Sequence, residues 1–470
     1  MFEKFFTQDI SKNTPKKTFK IVLVETKSDL KNVLSEEEVA FLKAQGFKAT
    51  VGELSYLSCE KIIFCLKKDD TLSSFAILSS KLPAGIYELD LPKEGFKWDD
   101  TLLGWALGHY GFEKYKTMPL KKEPRILKIA KTTDCSYAKA LFEAICLVRD
   151  LINTPANEMM PKDLKKVCEG FTKTYGASLE VLEGKELLKA NYPLIYAVGK
   201  ASCEEPLLLD LRWSSKKPCL SLCLVGKGVC FDSGGLDIKP SSGMLTMKKD
   251  MGGAAHVLGL AHAIMSLNLP VKLRVLIPAV ENAISGSAMR PLDVYSSRSK
   301  KTVEIGNTDA EGRLILADAL FEGACEKPDW LINFATLTGA ARVALGPNIP
   351  VIFSNKSEEI TSLLRLSLEE NDPLWQLPLY EGYKDSLKSS VADLSSTGSS
   401  SYGGAITAAL FLQEFVPKGQ PWIHVDLMAW NLKSRPGFPE GGEAMGLRSF
   451  LLWIQSLLKK RSKAPRSSQI

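Results

Sequence analysis

The chain has 470 residues, of which 45% are apolar and 24% are charged. That length fits two or three domains with a large buried core, and the composition excludes a disordered or collagen-like protein. The formal net charge of +6 is mild and does not by itself favour nucleic acid as a partner. No apolar run reaches the roughly 18–20 residues of a membrane helix, so no membrane partner is expected.

The compartment and the kind of metal site follow from other features. The first residues lack the pattern of a secretory signal, which favours a cytoplasmic location. The ten cysteines are scattered without a Cys-x-x-Cys pair, as expected for buried free thiols in a reducing compartment. None of the four histidines belongs to a His-Glu-x-x-His motif, which excludes a histidine-rich zinc site. Any metal is therefore expected on carboxylates.

The N-terminal part of the chain carries mixed strand and helix patterns. Phe19–Val24 and Lys61–Leu66 are predicted as short strands, and Leu34–Gln45 as a helix. No cluster of catalytic residue types accompanies them. We therefore predict a small N-terminal α/β domain over residues 1–133.

A helix is predicted to join this part to the rest of the chain. Apolar residues recur at helical spacing from Ser136 to Ile152, with Asp134 or Ser136 available as the N-cap. The following Pro155 ends the helix. The predicted organisation is thus a linking helix and loop over residues 134–160 and a second domain over residues 161–470.

Strand and helix patterns alternate throughout the second domain, which predicts a mixed β-sheet flanked by helices and an α/β fold overall. In such sheets ligands bind beyond the carboxyl ends of the strands, where this sequence places glycine-rich polar segments. Ser395–Gly404 is predicted as a mobile loop. The predicted strands are Cys219–Val225, Leu273–Val280, Trp330–Ala335 and Trp422–Leu427, and the predicted helices are Gly252–Met265, Leu314–Cys325 and Gly404–Phe415.

Three glycine-rich segments concentrate acidic residues. They are 225–235, 247–253 and 307–314, and they supply the carboxylates of Asp232, Asp250, Asp309 and Glu311. Four carboxylates in one cleft repel one another unless cations neutralise them. Two divalent metals about 3.5–4 Å apart would neutralise the carboxylates and hold both a water and a substrate oxygen.

Taken singly, these residues have structural explanations. Thr308 and Glu311 have the spacing of a capping box, and Asp250 precedes a predicted helix as an N-cap would. Lys227, in Gly-Lys-Gly without the spacing of a phosphate-binding loop, is compatible with a solvated loop lysine. Gly312 is a poor choice for the first turn of a helix on grounds of helix stability alone.

Taken together and in order, the segments resemble the leucyl aminopeptidase (cytosol aminopeptidase) family of two-metal, M17-type peptidases. The resemblance covers about residues 145–455. It rests on Phe231-Asp232-Ser233-Gly234-Gly235, on Asp250-Met251-Gly252-Gly253-Ala254, and above all on the octapeptide Asn307–Leu314, NTDAEGRL. It implies a metal-dependent aminopeptidase that hydrolyses the N-terminal peptide bond through a hydroxide held by two metals.

The resemblance also implies a ligand set. One metal would be held by Asp232, Asp309 with its main-chain carbonyl, and Glu311. The other would be held by Lys227, Asp232, Asp250 and Glu311, and the ions implied are Zn²⁺, Mn²⁺ or Mg²⁺. A lysine amine must be neutral to bind a metal, which a neighbouring dication makes feasible.

Two further cations have catalytic counterparts in the family. Lys239 is similar to a lysine that polarises the scissile carbonyl and stabilises the oxyanion. Arg313 matches an arginine that holds a bicarbonate ion serving as general base, and its guanidinium suits a planar carbonate. The structural alternative for Arg313 is an ordinary arginine on a helix surface.

The resemblance gives the expected substrates and assembly. Met247, Thr336 and Gly339 match residues that line the site of the first substrate residue, which favours apolar residues such as Leu or Met. For Met247 alone, a place in the core is the alternative. Peptides with a free N-terminus are the expected partners, and the family implies a homohexamer.

Two other functions remain open at this point. A nucleic-acid-binding regulator is supported only by the mild positive charge and the basic segment 459–463. A metal-binding protein without catalysis is disfavoured by the presence of Lys239 and Arg313.

Overall fold

The computed structural model describes residues 1–7, 18–90, 97–118 and 124–463, and it divides the chain into two compact units. The first comprises Met1–Cys146 with Lys433–Glu440, and the second comprises Leu147–Leu432 with Gly441–Ile470. The division falls inside the helix Ser136–Asn153. The domain limits expected from sequence, after residues 133 and 160, lie on either side of that helix.

The first unit is built on a six-stranded sheet with the strand order β1-β6-β5-β2-β4-β3. All neighbouring pairs are parallel except β3 and β4. Both strands predicted in this unit are present, as β2 and β4. Most of their apolar residues are buried. The strands are β1 (Phe6–Thr7), β2 (Thr18–Val24), β3 (Leu54–Tyr56), β4 (Lys61–Cys65), β5 (Gly85–Asp90) and β6 (Arg125–Lys128).

The second unit contains a nine-stranded mixed sheet. Its main path is β16-β15-β18-β14-β9-β11-β8-β7, and β10 also pairs with β11. The strands β9, β11, β14 and β18 are mutually parallel, as expected for near-continuous apolar segments covered by helices. The members are β7 (Ser178–Glu183), β8 (Leu207–Ser214), β9 (Leu220–Gly226), β10 (Gly228–Asp232), β11 (Val271–Asn282), β14 (Trp330–Ala335), β15 (Val351–Ser354), β16 (Trp375–Gln376) and β18 (Trp422–Asp426).

Two smaller sheets belong to the same unit. One has the order β12-β13-β17 and the other pairs β19 with β20. Part of the segment predicted as a mobile loop takes part, since its first residue ends β17. These strands are β12 (Val294–Ser296), β13 (Thr302–Glu304), β17 (Leu394–Ser395), β19 (Trp430–Asn431) and β20 (Gly441–Gly442).

The helices confirm the predicted alternation with changes at their ends. The helix predicted over Leu34–Gln45 begins at Glu36, because the Ser35 side chain caps it in a capping box with Glu38. The helix predicted from Leu314 begins earlier, at Glu311. The α-helices are α1 (Leu30–Val33), α2 (Glu36–Ala44), α3 (Thr71–Lys81), α4 (Trp98–Leu107), α5 (Ser136–Asn153), α6 (Pro161–Tyr175), α7 (Lys185–Lys189), α8 (Pro193–Gly199), α9 (Ser241–Met244), α10 (Gly252–Ser266), α11 (Glu311–Cys325), α12 (Gly339–Leu345), α13 (Thr361–Glu369), α14 (Gly404–Gln413) and α15 (Leu447–Lys463).

Helices α10 and α11 are buried around most of their circumference. Such helices lie within a core rather than on its surface. In α11, Leu314, Leu316 and Leu320 have no exposed surface and join a large apolar cluster of the second unit. Both helices therefore begin from rigidly packed positions beside the sheet.

The prediction of buried thiols is only half right. All ten cysteines are free, yet Cys59, Cys203, Cys219 and Cys325 are exposed. An apolar sequence neighbourhood does not fix burial, since these residues lie at or near the ends of secondary-structure elements.

Within the described ranges, none of the helices has the length and apolar character needed to cross a membrane.

Candidate metal centre

The parallel strands of the second unit bring the candidate residues to one edge of the sheet. Lys227 directly follows β9 and Thr336 directly follows β14, while Asp426 is the last residue of β18. Because these strands are parallel, their carboxyl ends lie together. Residues that are about one hundred positions apart in the sequence therefore lie close together in the structure.

Lys227 lies at the centre of this edge and is only 2% exposed. Its Nζ is 2.8 Å from Oδ2 of Asp250 and 2.9 Å from Oε1 of Glu311, and it donates to the Thr336 carbonyl at 3.0 Å. The explanation as a solvated loop lysine is therefore wrong. Burial alone would lower the pKa of Lys227, but the charges of Asp250 and Glu311 raise it above its ordinary value.

Asp232 ends β10 and is held in place by neighbours. Its Oδ1 accepts hydrogen bonds from the Gly234 amide at 2.8 Å and from Nδ2 of Asn282 at 2.9 Å. Its Oδ2 is 2.8 Å from Nζ of Lys239. Burial, with the negative charge of Asp250, raises the pKa of Asp232 to about 6.

Lys239 joins two carboxylates, because its Nζ contacts Asp309 as well as Asp232. The carboxylate oxygens of Asp232, Asp309 and Glu311 lie within 4.8 Å of one another. This trio coincides with the first ligand set that the sequence resemblance implies. Asp309 is its exposed member, and Asp232 and Glu311 are buried.

The helix-capping roles considered for Asp250 and for the pair Thr308 and Glu311 are not observed. Helix α10 has Met251 at its N-cap, and the Asp250 side chain does not cap it. The Thr308 hydroxyl donates to the Gly234 carbonyl at 2.6 Å instead of closing a capping box with Glu311. The acids are therefore not explained by helix ends.

Glu311 provides a test of whether these residues fit a metal. Its Oε2 is buried and finds no hydrogen-bond partner in the described part of the chain. Burial, then the negative charge of Asp232, raises the pKa of Glu311 to about 8. Among the described residues, the ion pairs of these four carboxylates involve two ammonium groups, those of Lys227 and Lys239, so the donor set has room for added positive charge. All ligands are hard oxygen donors apart from one amine, and the set fits divalent cations.

Arg313 lies on α11, two residues after Glu311, and is 8% exposed. The alternative interpretation, an ordinary arginine on the helix surface, is therefore wrong. Its Nη1 donates to the Ser396 carbonyl at 2.6 Å, and its buried Nε has no partner among the residues that the structure describes. Burial lowers the pKa of Arg313 to about 10. The free Nε–H is a donor that fits an anion.

The three predicted pocket residues lie next to this centre. The Thr336 hydroxyl donates to Oδ1 of Asp250 at 2.8 Å, while its carbonyl accepts from Lys227. Gly339 begins α12, and Met247 lies in the buried turn that contains Asp250. Thr336 thus contacts two residues of the acidic centre, and the turn at 247–251 contains both Met247 and Asp250.

Two residues that support the site were not predicted from the sequence. Asn282 donates to Asp232 and to the Thr308 carbonyl, and Asp426 accepts from the Leu337 and Thr338 amides. Both end buried strands, β11 and β18. That position at a strand end was the available signal for both.

A mixed α/β sheet with a carboxylate cluster at the ends of its parallel strands is the arrangement of a metal-dependent enzyme. Comparison with known proteins gives the family. Residues 146–451 match the catalytic domain of the cytosol aminopeptidase family, and residues 24–127 match the M17 aminopeptidase N-terminal domain. The chain therefore belongs to the cytosol aminopeptidase family of metal-dependent peptidases, and it is an aminopeptidase.

Individual relatives agree with this assignment. A "probable cytosol aminopeptidase" of Chlamydia abortus is 40% identical over 391 residues, which are 80% of this chain and 77% of the relative. The crystal structure of the Coxiella burnetii cytosol aminopeptidase is 42% identical, with a TM-score of 0.89 over 96% of this chain and 99% of the other. The bottromycin maturation enzyme BotP in complex with Mn is 30% identical, with a TM-score of 0.85 over 94% of this chain and all (100%) of that one.

Proposed function

We propose that this aminopeptidase uses Lys227, Asp232, Asp250, Asp309 and Glu311 to hold two divalent metal ions. The convergence of these five side chains carries the proposal, together with the buried Oε2 of Glu311, which has no hydrogen-bond partner among the described residues. Asp232, Asp309 and Glu311 would hold one ion, with the main-chain carbonyl of Asp309. Lys227, Asp232, Asp250 and Glu311 would hold the other ion, so that Asp232 and Glu311 belong to both ligand sets.

The ions proposed are Zn²⁺, Mn²⁺ or Mg²⁺. When bound, two such ions supply an acidified water near neutral pH and a positive centre for the scissile carbonyl oxygen. The proposal is supported by the manganese complex of the related BotP. Its donor set of carboxylates and one amine, without histidine, is compatible with all three ions.

Lys239 supplies positive charge that does not depend on metal. Burial alone would lower the pKa of Lys239, but Asp232 raises it, so the side chain stays an ammonium ion at neutral pH. We assign to its Nζ the stabilisation of negative charge as it develops on the carbonyl oxygen of the scissile bond. Its side chain is 13% exposed, which leaves a substrate access to it.

Arg313 is proposed to bind bicarbonate. The assignment is supported by the buried Nε–H, which has no partner in the part of the chain that the structure describes, since a guanidinium binds a planar oxyanion through parallel hydrogen bonds. Arg313 would hold this anion beside the acidic centre, and the anion would supply general-base chemistry for hydrolysis. The bond between Nη1 and the Ser396 carbonyl keeps the guanidinium orientation fixed.

The substrate is proposed to be a peptide with a free N-terminus. Met247, Thr336 and Gly339 would line the pocket of its first residue, and the thioether of Met247 suits apolar side chains such as Leu or Met. A homohexamer in the cytoplasm is proposed from family membership and from the names of the cytosol aminopeptidase relatives. Light scattering of the purified protein tests the hexamer.

The test of the proposed function follows the release of a chromophore from a Leu-anilide. Activity should disappear on chelation and return with Zn²⁺, Mn²⁺ or Mg²⁺. It should be lost in Asp309→Ala and Glu311→Ala and fall about 10²–10³-fold in Lys239→Ala, as on loss of one oxyanion donor. Asp385→Ala, at a side chain that is 81% exposed, is the matched control and should behave as wild type.

Two results would contradict the proposal. One is full activity in folded Asp309→Ala and Glu311→Ala proteins, which would remove the two-metal assignment. The other is efficient cleavage of an N-acetylated Leu-anilide, because an acetylated nitrogen has no free amine for the site to recognise. Circular dichroism and the melting temperature of each variant establish that it is folded.

A further inference from the structure

Asp232, which belongs to both proposed ligand sets, is held on one side by Asn282. Nδ2 of Asn282 donates to Oδ1 of Asp232 at 2.9 Å, and the Gly234 amide donates to the same oxygen at 2.8 Å. A carboxylate oxygen accepts about two hydrogen bonds, so these donors occupy Oδ1. The other oxygen, Oδ2, lies 2.8 Å from Nζ of Lys239. Oδ2 is therefore the oxygen of Asp232 that remains for a metal.

A bulge at the end of β10 brings these two residues opposite each other. In the parallel pair β10 and β11, Val229 lies opposite Val280. Further along, Asp232 lies opposite Asn282, so β10 has one extra residue between the two pairs. A bulge of this kind redirects the side chains beside it. The Asn282 carbonyl also accepts from the amide of Ser233 at 3.2 Å and from its hydroxyl at 2.7 Å, which fixes the bulged segment.

The same carboxamide reaches the segment that carries two further acids. Nδ2 of Asn282 also donates to the Thr308 carbonyl at 3.1 Å. Thr308 directly precedes Asp309, and Glu311 follows three residues after it. A carboxamide nitrogen has two N–H groups, which here serve one segment each. The reversed amide would turn its oxygen toward two acceptors, so the hydrogen bonds determine its orientation.

Thr308 returns the connection from the second segment to the first. Its hydroxyl donates to the Gly234 carbonyl at 2.6 Å and accepts from the Asp237 amide at 2.8 Å. Its own amide donates to Oδ2 of Asp237 at 2.7 Å. Thr308 has no exposed surface and Asn282 is 2% exposed, so these bonds lie inside the protein. The segments 232–237 and 307–311 are therefore joined by a buried set of hydrogen bonds.

We propose that Asn282 is a positioning residue of the metal centre. Its carboxamide holds Oδ1 of Asp232 and the Thr308 carbonyl at the same time, so that the ligands of both segments are in place before a metal binds. Residues that orient metal ligands in this way contribute about 10–100-fold to metal affinity. Because Asp232 belongs to both ligand sets, the binding of both ions should depend on Asn282. This inference rests on the proposed function, since it concerns how the proposed ligands are held.

The experiment is a calorimetric titration of the full-length protein with Mn²⁺ after chelation. Asn282→Ala removes both N–H donors and should weaken Mn²⁺ binding by about 10–100-fold. Thr308→Val keeps the shape of the side chain and removes its hydroxyl. It should weaken binding by about 3–10-fold, the effect of one neutral hydrogen bond. The rise in melting temperature on adding Mn²⁺ should be smaller in both variants than in wild type.

Asn333 in β14 provides the matched control, because it is a buried asparagine of the same sheet with two side-chain hydrogen bonds. Its Nδ2 shares a hydrogen bond with Nδ1 of His424 at 2.8 Å, and its Oδ1 accepts from Nε1 of Trp422 at 2.9 Å. Asn333→Ala should lower the melting temperature of the metal-free protein, as Asn282→Ala does. It should leave Mn²⁺ affinity within about threefold of wild type, because Asn333 bonds to no proposed ligand.

Asn282 is not a positioning residue if folded Asn282→Ala binds Mn²⁺ as wild type does, or if Asn333→Ala weakens binding to the same extent. If Asn282→Ala does not fold, Thr308→Val decides, and wild-type Mn²⁺ affinity in that variant overturns the role. The wild-type titration separates this failure from that of the proposed function. If wild type binds none of Mn²⁺, Zn²⁺ and Mg²⁺, the proposed metal centre fails, and the role of Asn282 fails with it.

Discussion

Gly312→Ala is a sharp test of how the acidic centre is packed. Gly312 lies in the first turn of α11, between Glu311 and Arg313. A Cβ at this position would lie 2.4 Å from Cε of Lys227 and 2.8 Å from its Nζ. Both distances are below any ordinary contact between carbon and a neighbouring heavy atom. The added methyl group must therefore displace the Lys227 side chain.

The size of the effect follows from competing terms. In an open helix, replacing Gly by Ala stabilises by about 1 kcal/mol. Here overpacking costs about 1–3 kcal/mol, and weakening a charged hydrogen bond of Lys227 costs about 1.5–3 kcal/mol. Lys227 has little room to escape, because it is held by Asp250, Glu311 and the Thr336 carbonyl. The net expectation is a loss of about 2–4 kcal/mol in the free energy of unfolding.

Urea unfolding measures this change, with Gly170→Ala as the matched control. Gly170 lies within helix α6, and a Cβ built on it would meet nothing within 4 Å. That substitution should raise the free energy of unfolding by about 0.5–1 kcal/mol. Calorimetric titration with Mn²⁺ should show weakened binding in Gly312→Ala only. If Gly312→Ala instead stabilises the protein as Gly170→Ala does, with wild-type metal affinity, then Lys227 is not packed tightly against this position.

Three further outcomes are expected elsewhere in the molecule. Glu443→Gln should lower the free energy of unfolding by about 3–5 kcal/mol, because Arg149 pairs with Glu443 through two contacts of 3.0 Å in the core; unchanged urea unfolding would contradict this. Asp318→Ala should lower it by about 2–4 kcal/mol, since the buried carboxylate accepts from three backbone amides, and an unaltered melting temperature would show that water replaces it. A thiol reagent should react rapidly with the native protein at the exposed cysteines and with the buried cysteines only after denaturation; rapid reaction of a buried thiol such as Cys223 would contradict the fold. The exposed thiols are Cys59, Cys203, Cys219 and Cys325.

Much of the fold and the acidic centre could be predicted from local sequence. Apolar segments such as Trp330–Ala335 indicate buried strands by themselves, and the octapeptide Asn307–Leu314 carries enough specific residues to resemble a family. The helix ends were less exact, since Glu311 begins α11 three residues before the apolar pattern does. Capping and periodicity are local properties, whereas the exact end depends on neighbours in space.

What the tertiary structure alone decided is the environment of each charge. Lys248 and Lys249 are adjacent and chemically identical. Lys248 contacts a carbonyl and an aromatic ring, whereas Lys249 is buried with no direct partner among the described residues. Gly312 has a low intrinsic propensity for a helix. The structure explains why glycine is present, because a Cβ at this position would collide with the Lys227 side chain. The sequence by itself determines which residue types are available and the periodicity of their elements. The burial and pairing of the charged side chains depend on segments about one hundred residues apart, which meet at the ends of the parallel strands. No local sequence pattern indicates which distant segments will meet.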